Sequence, residues 1–309
     1  MPVASDRVSI LDVGHGNCGV IVADGEVTVV DAPRGAPLFR HLDRHGINVV
    51  TNLLVSHGDR DHLAGAAALL SSRRHTVRHV YANPDPNRRT DIWRQFLQAV
   101  RIAGPETTCF NSLSSTMPGR IKTEGFTLEI LSPTPYFAMR GSAPGGLPAN
   151  SVSAVVRVVR DGEGIVLLAA DMDAETMAEL EVQGRMPDLT ARVLVFPHHG
   201  GFPGRANPRT FAERLCTLVD PERVVFSIGR GNQNPQPEIV AGVRAGAPNA
   251  HISCTQLSVH CREDPLHPVE GNHCAGDVEI VFSGGVILPS RETHLAIIQA
   301  RARTPICRN

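Results

Sequence analysis

Short apolar runs rich in Val and Ile recur along the chain, and each is closed by a polar residue or by glycine. Runs of this length and composition are typical of buried β-strands. Asp24-Gly25 separates two of them and is a hairpin signal. The pattern predicts β-strands at residues 8–13, 18–23, 26–31, 49–55, 126–131, 154–159, 165–171, 192–196, 224–229 and 283–288.

Several segments between these strands have helical character. Residues 37–45, 63–70 and 293–301 are predicted as helices, and residues 90–103 as an amphipathic helix. The loop at residues 141–149 is rich in Gly and Pro, and we expect it to lie near a substrate entrance. The apolar face of the amphipathic helix comprises Ile92, Trp93, Phe96, Leu97 and Val100, and its aromatic residues are predicted to join the core.

The composition is that of a globular chain. Its 309 residues are 42% hydrophobic, which is enough for one large core or two modest ones. We find no internal repeat and no linker that would separate domains, so residues 1–309 are expected to form one domain. The formal net charge is −1, without the basic stripe that binders of long nucleic acids usually carry.

The seven cysteines form an odd set, and the first residues lack the charged and then apolar pattern of a secretory signal. No apolar run approaches the length that spans a bilayer. These features lead us to expect a cytoplasmic, soluble protein without a membrane partner, whose thiols are buried, metal-bound or idle rather than disulfide-bonded.

The segment Ser56-His57-Gly58-Asp59-Arg60-Asp61-His62 carries four side chains of metal-ligand type. A strand points every second residue to the same face, so His57, Asp59 and Asp61 can share a side. His62 would turn in beside Asp61. Because a predicted buried strand precedes the segment and a predicted helix follows it, the sequence favours a catalytic metal site over a polar surface loop.

This pattern, followed by Leu63-Ala64-Gly65, resembles the metal-binding signature of the metallo-β-lactamase superfamily. The superfamily usually has His where this chain has Asp59. That substitution resembles the branch that contains the nuclease-like domain of the DNA-uptake protein ComEC and the pneumococcal-type phosphorylcholine esterases. The resemblance covers roughly residues 8–240 and implies an α/β (α+β) fold, the four-layer αββα sandwich.

Two later segments match further superfamily elements. The strand predicted at 165–171 ends in Asp171, and a buried carboxylate is costly unless it is paired or metal-bound. By resemblance Asp171 would bridge two metal ions, whereas Asp173 suits helix capping better. Pro197-His198-His199-Gly200 is similar to the superfamily's Pro-His-His-Gly element. One of the two His would bind metal and the other would contact phosphate or donate a proton; we favour His199 as the ligand and His198 as the catalytic residue.

The resemblance therefore implies two divalent cations, Zn²⁺ or Mn²⁺ or both. One ion would be bound by His57, Asp59 and Asp171, and the other by Asp61, His62, Asp171 and His199. Asp61 is also predicted to take part in catalysis. More carboxylate and less imidazole than in most of the superfamily shifts the preference from zinc toward manganese.

Polar loops around these ligands are candidates for substrate binding. Gly14-His15-Gly16-Asn17 replaces the Asp-Val-Gly-Gln-Gly-Asp type of loop, and its glycines allow backbone N–H groups to approach an anion. Asn150 resembles an element of the same branch, although capping of a strand start is an equal interpretation. Asn232 lies in a loop whose superfamily His is replaced by Gln236. The predicted substrate-binding residues are Gly16, Asn17, Asn150 and Asn232.

The C-terminal part, residues 245–309, has an uncertain role and contains a second group of cysteines and histidines. Four such side chains are the usual ligands of structural zinc, but the spacing is irregular and lacks a Cys-x₂-Cys knuckle. Independent buried or surface thiols are the favoured interpretation. The residues of the alternative zinc site are Cys254, Cys261, His273 and Cys274.

We expect a hydrolase of phosphodiester bonds, in a nucleic acid or a nucleotide-type substrate, with a metal-bound hydroxide as nucleophile. Two alternatives remain open at this point. The first keeps the metals and changes the substrate to a lactone, a thioester or a small phosphoester, which the near-neutral charge favours. The second is a degenerate fold that binds or regulates a protein partner, which Asn17 and Gln236 favour.

Overall fold

The structure is a computed structural model that describes residues 6–83, 88–116, 121–122, 125–143, 145–263 and 273–307. Its strands are β1 (Arg7–Ile10), β2 (Gly19–Ala23), β3 (Glu26–Val30), β4 (Val49–Val55), β5 (Thr76–Ala82), β6 (Thr108–Phe110), β7 (Phe126–Ser132), β8 (Val155–Arg160), β9 (Glu163–Leu168), β10 (Val193–Val195), β11 (Arg223–Phe226), β12 (His251–Cys254), β13 (Arg262–Glu263), β14 (Val278–Val281), β15 (Val286–Leu288) and β16 (Ala302–Thr304). Its α-helices are α1 (Pro37–Arg44), α2 (Arg60–Leu63), α3 (Ala66–Leu70), α4 (Asp91–Ile102), α5 (Pro135–Gly141), α6 (Ala174–Val182), α7 (Pro208–Val219), α8 (Pro237–Gly246) and α9 (Arg291–Arg301).

Most of these strands form two mixed sheets. The first has the order β15-β14-β1-β2-β3-β4-β5-β6 and the second the order β12-β11-β10-β9-β8-β7, while β13 pairs with β16. The strands from β3 to β6 run parallel to one another, and so do those from β9 to β12. Parallel neighbours need crossover connections, and helices make several of these crossovers.

Side chains alternate along the strands and give each sheet two apolar faces. In β2, Ile21 packs in the cluster between the two sheets, whereas Val20 packs in a cluster with α1, α3 and α4. The outer face of the second sheet packs against α6, α7 and α8 through residues such as Leu180, Leu215 and Val243. The layers therefore run helix, sheet, sheet, helix, and the predicted four-layer αββα sandwich is confirmed.

Each strand and helix predicted from the sequence lies close to an observed one, but several observed elements were not predicted, among them β5, β12, β14, α7 and α8. The helix predicted at 63–70 is two short helices, broken near Gly65. A Cβ at Gly65 would lie 2.3 Å from the carbonyl oxygen of Pro33. The chain therefore passes so close to Pro33 at this break that there is no room for a side chain. Trp93 and Phe96 of α4 are buried as predicted, whereas Leu97, which the sequence places on the same apolar face, is 50% exposed.

The C-terminal part contributes to both sheets. β12 forms one edge of the second sheet, and β14 and β15 form one edge of the first, with β14 paired to β1. Only residues 286–288 of the strand predicted at 283–288 are extended, because a turn of 3₁₀-helix occupies 283–285. Among the described residues, no helix combines the length and apolar character needed to cross a membrane.

Candidate metal centre

The polar residues singled out in the sequence meet at one edge of the sandwich, where strands from both sheets end. The segment with His57 and Asp61 follows β4 of the first sheet, Asp171 follows β9 of the second, and His199 follows β10. The carboxyl ends of parallel strands are the usual place for ligand sites in sheets of this kind. Packing of the two sheets brings these three segments together.

The floor of the site is formed by His57, His62 and Asp171. All three are buried, and each offers one ligand atom within 4.8 Å of those of the other two. Within the described part of the chain, His57 Nε2, His62 Nε2 and Asp171 Oδ1 have no hydrogen-bond partner. Buried polar atoms without partners are rare and costly, so their convergence fits a metal ion.

Asp171 lies between two sets of imidazoles. Its Oδ1 is 3.1 Å from His62 Nε2 and 3.9 Å from His199 Nε2. Its Oδ2 is 3.6 Å from His57 Nε2 and 3.9 Å from His198 Nδ1. The two oxygens of one carboxylate thus face different partners, which is the arrangement that a bridging ligand between two ions requires.

A second ligand group lies beside the first and comprises His15, Asp61 and His199, with ligand atoms again within 4.8 Å of one another. Asp61 Oδ2 is 3.2 Å from His199 Nε2 and 3.5 Å from His15 Nε2. The rings of His15 and His199 are 4.4 Å apart between centroids. His15 was not predicted as a site residue, although its replacement of the usual Gln in the β1–β2 loop was a signal that could have identified it.

Asp59 is placed at the opposite end of the site from His15. Its Oδ2 is 3.6 Å from His57 Nε2, and its Oδ1 forms an ion pair with Arg88. The His57 ring and the Arg88 guanidinium together hold the pKa of the Asp59 carboxyl below its usual value, against the effect of burial. Asp59 is therefore an ionised carboxylate beside His57, as a ligand must be.

The three buried imidazoles are oriented from behind by hydrogen bonds at Nδ1. His62 donates to Asp31 Oδ2 at 2.6 Å, and His199 donates to the carbonyl oxygen of Ser227 at 2.8 Å. Ser56 Oγ donates to Asp31 Oδ2 and therefore accepts from His57 Nδ1 at 3.0 Å. In the neutral form of each ring, Nδ1 thus carries the proton and the Nε2 lone pair is directed into the site.

Asp31 is a second residue of the site that was not predicted from the sequence. Its carboxylate is 1% exposed and accepts hydrogen bonds from His62, from Ser56 Oγ and from the Ser56 backbone N–H. It follows β3, the parallel neighbour of β4, and an acidic residue at the end of a buried strand was the available signal. Such carboxylates fix the orientation of metal-binding imidazoles.

The electrostatics of the site favour ionised carboxylates. Burial opposes ionisation of Asp171, but His62 and His57 hold the pKa of the Asp171 carboxyl well below its usual range. Burial also opposes protonation of His62, and the carboxylates of Asp171 and Asp31 outweigh it and raise the pKa of His62 well above its usual value. A cation that binds at His62 would therefore displace a proton.

Strained backbone is concentrated around the site. Seven residues other than glycine have a positive φ angle in the part of the chain that the structure describes, and four of them adjoin the ligands. Such conformations cost about 1–3 kcal/mol each and persist where the surrounding structure enforces them. The four residues are Asp31 (φ 62°), Ala170 (φ 45°), His198 (φ 51°) and His199 (φ 55°).

The strain at the His pair separates the two side chains, as the sequence analysis expected. His199 is buried among the ligands, with 1% of its side chain exposed. His198 lies on the rim with 35% of its side chain exposed, and its Nδ1 accepts a hydrogen bond from the Asn150 amide at 3.2 Å. Asn150 thus contacts a site residue rather than standing apart as a cap.

The other predicted substrate-binding residues have different surroundings. Asn232 donates from its side-chain amide to His15 Nδ1 at 3.1 Å. Gly16 and Asn17 are buried: the Gly16 carbonyl accepts from Ser227 Oγ at 2.6 Å, and the Asn17 N–H donates to the Asp61 carbonyl at 3.3 Å. A Cβ at Gly16 would lie 2.4 Å from the same Asp61 carbonyl, so this loop supports Asp61 from behind through its backbone.

A cleft with a volume of about 480 Å³ opens beside His57. One wall is formed by Arg88, Arg89 and Thr90. The lining also includes the loop from Gly145 to Ala149, which the sequence predicted to lie near a substrate entrance. The cleft therefore joins the candidate ligand set to two guanidinium groups.

The C-terminal cysteines and histidines have other contacts. His273 Nδ1 pairs with Asp12 rather than with a thiol, and Cys274 Sγ is 3.2 Å from His294 Nε2. Cys261 Sγ accepts from the Ile306 N–H at 3.5 Å, and Cys254 is buried. Among the described residues, these four side chains do not form a group whose ligand atoms all lie within 4.8 Å. Independent thiols remain the favoured interpretation, and the zinc site remains the alternative.

Asp173 has the role that the sequence favoured. Its side chain accepts from the Thr176 N–H at the start of α6 and from Ser151 Oγ. It is therefore a helix cap at the edge of the site rather than part of the ligand groups.

Comparison with known proteins is consistent with this fold and site. The chain is 27% identical over 240 residues to Recombination protein 2 of Haemophilus influenzae, a match that covers 73% of this chain and 24% of the relative. The chain thus spans about a quarter of the length of that protein.

Solved structures align with the chain at low identity. The metallo-beta-lactamase fold protein YhfI from Bacillus subtilis aligns with a TM-score of 0.51 at 13% identity, covering 81% of this chain and 96% of that one. Igni18, a metallo hydrolase from Ignicoccus hospitalis, aligns with a TM-score of 0.46 at 16% identity, covering 80% and 94%.

The sequence profile of the metallo-beta-lactamase superfamily matches residues 11–205, which include the segments after β3, β4, β9 and β10. The matched residues make up more than half of the chain. The chain belongs to the metallo-beta-lactamase superfamily.

Proposed function

We propose that the protein is a metal-dependent phosphodiesterase that acts on a nucleic acid or a nucleotide-type substrate through two divalent cations, Zn²⁺ or Mn²⁺. The observation that carries the proposal is the convergence of three buried, unpartnered ligand atoms beside an arginine-lined cleft. Membership of a superfamily of metallo-hydrolases agrees with it. We also propose that residues 1–309 act as one domain.

The ligands divide between two ions along the carboxylate of Asp171. His57, Asp59 and Asp171 Oδ2 would hold the first ion. Asp171 Oδ1 and the residues on its other side would hold the second, namely Asp61, His62 and His199. When bound, two such ions lower the pKa of a water molecule and neutralise charge on a phosphoryl group.

The cleft supports a phosphate ester as the substrate. A guanidinium group presents several N–H donors in a plane that matches phosphate oxygens. Arg88 already pairs with Asp59, and Arg89 lies beside it on the same wall. A phosphate that enters the cleft would meet these donors next to His57, whereas a neutral lactone would not use them.

Two residues on the rim complete the proposed machinery. Asp61 is 27% exposed on its side chain, and Asp61 Oδ2 can accept a hydrogen bond from a water molecule at the reaction centre. Since the Asn150 amide donates to His198 Nδ1, the neutral His198 ring keeps its proton on Nε2. His198 can therefore donate to a phosphoryl oxygen or to the leaving group.

The ComEC-like branch remains part of the proposal. Asp59 stands where most of the superfamily has His, and the matched relative is named a recombination protein, which suggests DNA as substrate. The net charge of −1 argues for a short stretch of nucleic acid or a nucleotide-type diester rather than a long duplex.

A substrate panel tests the proposal. Metal-free protein would be supplied with Zn²⁺ or Mn²⁺ and assayed with bis-p-nitrophenyl phosphate, single-stranded DNA and a set of lactones. We expect hydrolysis of the phosphodiesters, abolished by a chelator and restored by metal. Turnover of lactones alone would contradict the choice of substrate, and binding without turnover of any ester would favour a regulatory role with a protein partner.

The contribution of the cleft can be isolated with one arginine. Arg89→Ala should raise KM for phosphodiesters about tenfold, since one charge-assisted contact to phosphate contributes on the order of 1.5 kcal/mol, while metal content is unchanged. Arg101→Ala, on the exposed face near the end of α4, is the matched control. Equal kinetic constants for both variants would remove Arg89 from the substrate site.

A further inference from the structure

The histidines around the site fall into two classes according to what faces their Nδ1 atoms. His57, His62 and His199 face acceptors, as described above, and so their Nε2 atoms carry lone pairs. His15 and His198 face the side-chain amide nitrogens of Asn232 and Asn150. An amide nitrogen only donates, so Nδ1 of a neutral ring there must accept, and its proton lies on Nε2.

Burial divides the same rings in the same way. The side chains of His57, His62 and His199 are at most 2% exposed. Those of His15 and His198 are 36% and 35% exposed. The rings whose Nε2 lone pair points into the site are thus buried. The rings whose Nε2 carries the proton lie on its solvent-facing rim.

The orientation of the Asn232 amide has its own cause. Asn232 Oδ1 accepts from the backbone N–H of Asn234 at 3.3 Å, which leaves Nδ2 toward His15 at 3.1 Å. The loop after β11 also packs tightly against the β1–β2 loop, since a Cβ at Gly229 would lie 2.6 Å from the backbone nitrogen of His15. The partner of His15 Nδ1 is therefore held in place by the fold.

We propose that His15 is a catalytic hydrogen-bond donor to the substrate, and that Asn232 is the positioning residue that keeps its proton on Nε2. The inference rests on the proposed function and deepens it. His15 Nε2 is 3.5 Å from Asp61 Oδ2. The ring is therefore close enough to count among the candidate ligands of the second group, but its Nε2 carries a proton instead of the lone pair that a ligand needs. Its recipient is a non-bridging phosphoryl oxygen, on which negative charge grows as the ester is attacked.

With this assignment, a bound substrate has hydrogen-bond donors on both of its sides. Arg88 lies at the Asp59 end of the site and His15 at the Asp61 end. A phosphodiester bound across the ligand groups would contact a guanidinium on one side and an imidazole N–H on the other. His15 is a feature of this chain, at a position where the resembling branch has Gln, whose side chain also carries an N–H donor.

Asn232→Asp is the sharpest perturbation, because a carboxylate accepts where the amide donates. With ¹⁵N-labelled histidine in the Zn²⁺-loaded protein, we expect the His15 proton on Nε2 in the parent protein and on Nδ1 in Asn232→Asp. The freed Nε2 lone pair would then become a ligand, so Asn232→Asp should bind the second ion more tightly and turn over phosphodiesters about 10²-fold more slowly.

His15→Ala separates a donor from a ligand. We expect kcat for a phosphodiester to fall about 10²-fold, which is the usual cost of one donor to a developing oxyanion, with two ions still bound at unchanged affinity. His15→Gln should recover part of the loss, and His79→Ala, on β5 outside the site, is the control.

Two results would overturn the proposal: a proton on Nδ1 of His15 in the parent protein, or a tenfold weaker second ion in His15→Ala. The tautomer and the metal affinity are both measured without turnover. They would therefore still test the role of His15 if the protein did not hydrolyse phosphodiesters.

Discussion

The most informative perturbation is Asp31→Asn, which alters the support of the ligands without touching their ligand atoms. Asp31 accepts three hydrogen bonds, from His62 Nδ1 at 2.6 Å, from Ser56 Oγ at 2.7 Å and from the Ser56 N–H at 2.7 Å. A carboxylate accepts at both oxygens, whereas an amide offers one oxygen and one donor. The substitution therefore places an amide NH2 against a group that donates in the parent protein, either His62 Nδ1 or the Ser56 N–H, depending on how the amide turns.

Either orientation weakens metal binding. If the amide nitrogen faces His62, the imidazole proton moves to Nε2 and the ring loses its ligand lone pair. If it faces the Ser56 N–H, that buried group is left unpaired just before His57. Partners of this kind are worth about 10- to 100-fold in metal affinity, which corresponds to about 1.4–2.7 kcal/mol. Asn tolerates the positive φ of 62° at this position, so the backbone adds little further cost.

The assay is a competition titration of metal-free protein against a chelator of known affinity, with urea unfolding of the metal-free form alongside. We expect affinity at the His62 ion to fall 10- to 100-fold. Asp220→Asn is the matched control, since Asp220 is exposed and has a φ of 49° away from the site. Parent-like affinity in Asp31→Asn would refute the claim that Asp31 orients His62.

Three further outcomes are expected. Asp61→Ala and His62→Ala should each abolish metal-dependent hydrolysis. The circular dichroism and the unfolding midpoint of the metal-free variants should stay close to those of the parent. Undiminished turnover would show that these residues are not part of the site. Asp173→Ala removes the cap of α6 and should cost about 1 kcal/mol in urea unfolding, and an unchanged midpoint would contradict that role. Burial, with lesser contributions from His45, Arg7 and Arg44, lowers the pKa of His41 to about 3. As the pH drops below about 6.5, the unfolded chain therefore takes up a proton at His41 before the folded protein does, and the free energy of unfolding falls. At about pH 5 this loss should reach about 2 kcal/mol relative to neutral pH and should be absent in His41→Gln; equal pH dependence of both proteins in urea unfolding would contradict it.

The strand pattern and the local motifs were readable from the sequence. Runs such as 18–23 are apolar on both faces because each sheet is covered by helices on one side and by the other sheet on the opposite side. The ligands adjoin the ends of these strands, so His57, Asp61 and Asp171 could be identified one segment at a time.

The partners of the ligands were not readable, because they depend on packing between distant segments. Asp31 supports His62 only because β3 and β4 are parallel neighbours. The amide of Asn232 reaches His15 only because a loop of the second sheet packs against a loop of the first. The periodicity of the sequence does not predict such contacts. It also does not distinguish a buried histidine from one on the rim of the site.

The central claim is that Asp171 joins two ligand groups into one dinuclear centre that cleaves phosphodiesters. The most direct measurement is the rate of bis-p-nitrophenyl phosphate hydrolysis as a function of the number of ions bound per chain, starting from metal-free protein. We expect no turnover without metal, activity that develops as the second ion binds, and saturation at two ions per chain. Turnover by the metal-free protein, or no turnover with two ions bound, would contradict the claim.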